Sequence, residues 1–268
     1  MYKLFHELLA DKTGGEVFTL FSGWHFLYIA LVLITVGLVL FLSRKKTYHQ
    51  KARIAKIFVH VAFVLYMADF FFMPLAYGVV DIDKLPFHAC TTMCLICFIS
   101  YYNKFLAKYR MSFVMLGLIA NVIYLVYPAG VMWYNIHPLS YRVVQTMLFH
   151  SIMTVYGILM LVFEYKKMEI KKCYRDLAVI ACLTVWALIG NYIYSGTSGN
   201  YSHMFNWFFV INDPLGVIPT EISPYVMPFL NITVFFAVEM IIHLIIIAVK
   251  KAIGSKKRLD NPSPAVIQ

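Results

Sequence analysis

Apolar runs long enough to cross a bilayer recur along this chain, and short basic loops separate them. No other feature restricts its fold as much. A helix needs about 20 apolar residues to cross a hydrocarbon core of about 30 Å. Runs of that kind occupy 24–42, 54–77, 85–102, 111–127, 141–163, 177–194 and 225–249. Hydrophobic residues make up 61% of the chain, more than a soluble domain hides, since such domains are nearer half apolar and a quarter charged. The expectation is an all-α polytopic membrane protein with seven transmembrane helices, forming a single membrane domain over 1–268. Residues 1–22 read as a short interfacial helix, and 195–223 as a loop rich in Gly, Asn and aromatics. Neither a soluble domain nor an internal repeat stands out.

A formal net charge of +10 would suit a nucleic-acid binder, but the placement of the charges excludes that class. Nineteen of the 23 Lys and Arg residues fall in alternate loops, around 44–56, 104–110, 166–175 and 250–258. The opposite face has Lys3, Lys12, Lys84 and Arg142. This alternation predicts an external N-terminus and a cytoplasmic C-terminus. Glu7, Asp11 and Glu16 precede the first run and no small-residue cleavage site follows it, so no secretory signal is expected. The five cysteines do not form a secreted disulfide framework; Cys90, Cys94 and Cys97 share one helix.

Ionisable groups inside a bilayer are costly and tend to mark function. Asp69 lies about 12 Å from the outer end of the second run, at the helical rise per residue, and His150 is at similar depth in the fifth. Cys90 lies nearer the surface, so tilt or a recessed start to its helix must close the gap. Thr146, His150, Thr154 and Gly157 recur at helical spacing and predict a polar stripe facing the bundle. Asn191 lies near the outer end of the sixth run, and Asn200, Tyr201 and His203 follow in the loop.

A cysteine with a histidine suggests nucleophilic catalysis, because an imidazole can generate the reactive thiolate. Asp69 or Asn200 would complete a triad by fixing the imidazole tautomer. The same residues also have structural readings, since cysteine often only packs and a membrane histidine often bonds across helices. His88, Cys90 and His150 offer a zinc reading, disfavoured because positions 88 and 90 diverge on a helix. Cys94 and Cys97 form a Cys-x-x-Cys pair, but burial in an apolar helix predicts inert thiols. No metal or cofactor is therefore expected. His60, Glu239 and His243 lie nearer the cytoplasmic side, where they suggest a proton or ion path or a structural network.

Leu85-Pro86-Phe87-His88-Ala89-Cys90, followed by Thr91, resembles the Leu-Pro-x-His-x-Cys signature of the YwaF-like family of bacterial integral membrane proteins. Asp69, Phe149-His150-Ser151, and Gly199-Asn200-Tyr201 with Met204 resemble further motifs of that family. Asp69 stands where Glu is commoner, and Ser202-His203 interrupts the loop motif. That family is similar to a eukaryotic transmembrane acyltransferase group that remodels ether phospholipids. It is more distantly similar to androgen-induced hydrolases of fatty-acid esters of hydroxy fatty acids. The resemblance implies Cys90 as nucleophile and His150 as base, with Asp69, His88, Thr91, Asn200 and Tyr201 in support. It implies a lipid acyltransferase or lipid-ester hydrolase in the bacterial cytoplasmic membrane, acting on phospholipid or fatty-acyl ester substrates. The competing expectation is a non-enzymatic lipid-binding protein or a small-solute transporter using the same pocket.

Overall fold

The computed structural model describes residues 2–12, 15–78, 82–132, 134–195 and 205–260, all helical or irregular. Its α-helices are α1 (Tyr2–Leu9), α2 (Gly23–Ser43), α3 (Tyr48–Tyr77), α4 (Ala89–Ile99), α5 (Lys104–Ala107), α6 (Arg110–Val126), α7 (Ala129–Met132), α8 (Tyr141–Glu164), α9 (Cys173–Ser195) and α10 (Ser223–Asp260). Among the described residues, six helices are long and apolar enough to cross a membrane: those containing α2, α3, α6, α8, α9 and α10. Side chains such as Leu33, Ile34, Phe71 and Phe229 stay exposed on them, as faces turned to lipid should.

The expected runs return with shifted ends. α3 begins six residues early because Thr47 and Gln50 form a capping box, with Gln50 N–H bonded to Thr47 Oγ1 and Thr47 N–H to Gln50 Oε1. The third run departs most. Instead of a helix over 85–102, α4 has 11 residues, about 16 Å of helix and too short to span. Residues Ile82–Lys84 make a single 3-10 turn, and His88 takes an extended backbone as the N-cap. At the other end, the Ser100 hydroxyl bonds to the Cys97 carbonyl, and Arg110 Nε donates to that same hydroxyl oxygen. Asn103 then caps α5.

The bundle is tied at both ends. At the end holding most of the basic residues, Lys167 pairs with Glu164 at 2.8 Å, and the Tyr48 hydroxyl bonds to both. Lys250 Nζ donates to the Met168 carbonyl at 2.6 Å, and Arg175 donates to that of Lys108 at 3.0 Å. At the far end, His25 is fully buried. Its Nδ1 accepts from the Phe21 N–H at 3.0 Å, which leaves Nε2 to donate to the Leu125 carbonyl at 2.7 Å. Backbone bonds from Phe18 to Ile136 and from His137 to Lys12 fasten the N-terminal segment across the same end.

Asparagine side chains order the described part of the long loop. Asn191 both accepts from Trp207 N–H and donates to its carbonyl. Asn231 donates to the carbonyls of Phe208 and Phe209, whose positive φ of 56° and 51° makes the backbone turn sharply. Asp213 accepts the N–H groups of Leu215, Ile218 and Val217, and those bonds hold its carboxyl below its ordinary value of 3.8.

Two tests follow from this packing. A Cβ on Gly190 would lie 2.4 Å from the Phe87 ring, which is itself stacked on Trp186 at 4.9 Å and set against Trp207 at 4.8 Å. Gly190→Ala should therefore destabilise by about 1–3 kcal/mol of overpacking, read as a lower Tm in detergent. Because its folded value is depressed, Asp213 contributes stability above pH 3.8 that is lost as pH falls through the lower folded value. Asp213→Ala should raise hydrogen exchange at residues 215–218 while leaving α8 protected.

Candidate functional site

The loop before α4 exposes carbonyls within an apolar bundle, where each needs a donor. Four side chains from separate elements supply them. Tyr66 on α3 donates to Lys84 O at 2.8 Å. Thr92 on α4 and Trp186 on α9 both donate to Pro86 O, at 2.7 and 2.6 Å. Trp207 donates to Asp83 O at 3.5 Å. Phe87, between Trp186 and Trp207, anchors the loop sideways into α9. This recessed start lowers Cys90 into the bundle.

Helix register then sets its depth. α4 and α6 run antiparallel, and a Cβ on Gly117 would lie 3.1 Å from that of Met93. One turn back along α4 from Met93 is Cys90, and one turn on along α6 from Gly117 is Asn121. Asn121 is fully buried, and its Oδ1 lies 2.7 Å from His150 Nδ1. Cys90 and His150 therefore share a layer. The recorded hydrogen bond of the imidazole goes to Asn121, and none joins it to Cys90 among the described residues. Tyr124 links the two: its ring lies flat on His150 at 3.7 Å and 9°, and it is within electrostatic reach of Cys90.

The amide network fixes the tautomer. Asn121 Nδ2 donates to Gly117 O at 2.6 Å, so Oδ1 is its acceptor. His150 Nδ1 must then carry the proton, and Nε2 keeps the lone pair a base needs. Cys90 is half-buried and in no disulfide. The backbone N–H groups of Cys90 and Thr91 point at its sulfur, and the His88 side chain makes no cap bond there. An anion at this position meets unpaired donors and the positive end of the helix dipole.

Asp69 is buried beside Lys84, whose Nζ lies 3.3 Å from Asp69 Oδ2 and 3.3 Å from Thr146 Oγ1. Tyr141 donates to Asp69 Oδ1 at 2.8 Å. His88 Nε2 lies 3.3 Å from Asp83, and Thr91 donates to the His88 carbonyl. Asn191 holds Trp207, behind the loop. Asn200, Tyr201 and His203 lie outside the described residues. Thr146, His150 and Thr154 are buried, as the polar stripe requires. His60 separates from the other inner groups: it bonds to Lys56 O and Tyr102, while His243 pairs with Asp176 at 2.8 Å. Among the described residues no group of three His, Cys, Asp or Glu side chains is arranged to hold a metal.

Three residues of the candidate site are not among those the sequence singles out for it. Lys84 counted only as a topology marker, yet its ammonium turns inward. Asn121 carries a usable signal, an amide in an apolar helix, although it is not an ionisable group. Tyr124 and its ring stack had none.

The model of the TMEM164 family, a transmembrane protein family, matches residues 20–250. No curated protein and no solved structure matches the chain.

The Asp69–Lys84 pair gives a direct test. Asp69→Ala leaves the half-buried Lys84 ammonium without its carboxylate, a change that costs less than the about 3–5 kcal/mol of breaking a fully buried pair. The expected readout is a fall in Tm, part of which an Asp69→Leu, Lys84→Met double variant recovers.

Proposed function

The chain belongs to the TMEM164 family of transmembrane proteins, and we propose that this multi-pass membrane protein is an acyltransferase or lipid-ester hydrolase. The observation that carries this reading is a thiol at an uncapped helix start, in the layer of an imidazole whose Nδ1 is fixed by Asn121. The likeness to the YwaF-like family and its acyltransferase relatives supports the same two residues. In this reading α4 and its recessed loop act as the seventh crossing element. The basic end is cytoplasmic, the N-terminus is external, and the site opens to the outer leaflet of a bacterial cytoplasmic membrane.

His150 Nε2 takes the Cys90 proton, and the thiolate attacks the acyl carbonyl of a phospholipid or fatty-acyl ester. The N–H groups at the start of α4, with Thr91, receive the developing oxyanion. The C–O bond breaks, His150 returns its proton to the leaving alkoxide, and an acyl-thioester remains. A lysophospholipid hydroxyl or water then gives a proton to His150 and attacks the thioester. Cys90 leaves as thiolate and is reprotonated. Lys84 and Asp69 hold the loop in register, His88 flanks the thiol, and the resemblance adds Asn200 and Tyr201.

A second reading, a non-enzymatic lipid-binding protein or small-solute transporter, draws on the imidazole bonding to Asn121 rather than to Cys90. The two readings separate on the thiol. As an enzyme, the protein should show fast alkylation of Cys90 near neutral pH, slowed in His150→Ala. Cys90→Ala and His150→Ala should both abolish lipid-acyl turnover. Asn121→Ala should lower kcat about 10- to 100-fold through lost orientation while KM holds. Slow alkylation in wild type and His150→Ala alike, with an unchanged membrane lipid profile in both variants, would discard the enzyme. Ligand binding that survives Cys90→Ser would then identify the binder.

A further inference from the structure

The acyl-transfer chemistry has no use for a second polar group, which lies toward the basic end between α9 and α10. Glu239 is 0% exposed, and neither carboxyl oxygen has a hydrogen-bond partner. One turn along α10 toward the basic end, on the same face, stands His243, buried and bonded through Nε2 to Asp176 Oδ2 at 2.8 Å. Asp176 is in the first turn of α9 and within electrostatic reach of Glu239. The three groups thus form a line from the start of α9 into the bundle.

A carboxylate held only for structure finds donors, because burying an ion without them is prohibitively costly. Glu239 has none. The groups packed nearby supply no cation to hold it ionised. α9 brings Asp176, a like charge. α6 meets α10 through Met111 and Met115. The turn at Trp207–Phe209, which packs on α10 further out, has no ionisable side chain. His243 is already committed to Asp176. A metal has no suitable ligand set here. A proton is the one ligand that neutralises this carboxyl without further coordination.

We propose that Glu239 is a proton-binding site, loaded and emptied from the basic end through the Asp176–His243 pair. The proton comes from water and returns to water; the Glu239 carboxylate becomes a carboxylic acid and back, and nothing is oxidised or reduced. The site lies apart from Cys90 and His150, so this inference stands or falls independently of the acyl-transfer reading.

Infrared difference spectroscopy on the full chain in nanodiscs tests it. The expected result is a carboxylic-acid C=O band that Glu239→Gln removes. That band should shift in D2O and disappear reversibly as pH is raised, and its deuterium exchange should slow in His243→Phe. A missing band would overturn the proposal, and so would one indifferent to both D2O and pH, which is a locked structural acid. Carbodiimide labelling of the wild-type protein, mapped by mass spectrometry, reads the same proton without a variant. Glu239 should be modified at low pH and spared at high pH, and no modification at any pH would also overturn the proposal.

Discussion

Backbone carbonyls inside an apolar bundle must find donors, and the interrupted third helix of this protein raises that demand where helical bonds cannot meet it. The donors for Asp83, Lys84 and Pro86 come from α3, α4, α9 and the turn at Trp207. A loop satisfied from four directions cannot slide along any one helix without losing bonds to the others. Each such loss leaves a backbone carbonyl without its donor. The depth of Cys90, the inward turn of Lys84 and the layer shared with His150 all depend on this arrangement.

The same economy of donors shapes the layer around His150. Asn121 spends its amide on its own helix and its oxygen on the imidazole, so one side chain sets both its own orientation and the tautomer of His150. Tyr124 covers the flat face of the ring, and Phe149 meets it edge-on at 5.1 Å. Asp69, Lys84, Tyr141 and Thr146 form a separate polar group that ties loop, α3 and α8 together.

Most of the scaffold was legible in the sequence, because apolar length and alternating basic loops are strong, local signals. Six runs return as helices, four of them within a few residues of their expected ends; α3 starts six residues early at its capping box, and α10 continues past 249 to Asp260. The recessed start of α4 was not legible, since the donors that permit it are distant in sequence. The depth mismatch between Cys90 and His150 did announce that something must give. Asn121 shows a different limit: its role comes from a helix register set by Gly117 and Met93, a contact no single-chain pattern encodes.

The two ends of the bundle are fastened by contacts that differ in exposure. The basic end relies on Lys167 with Glu164, Lys250 and Arg175 on carbonyls, and Tyr48 between charges. The far end relies on His25, backbone bonds, stacked aromatic rings and two largely enclosed ion pairs, Arg142 with Asp11 and Lys84 with Asp69. Dissolved salt screens the exposed charges of the basic end and reaches the enclosed pairs of the far end much less. The molecule therefore has a direction in which it loosens: raised ionic strength frays it from the basic end, while the recessed loop stays clamped.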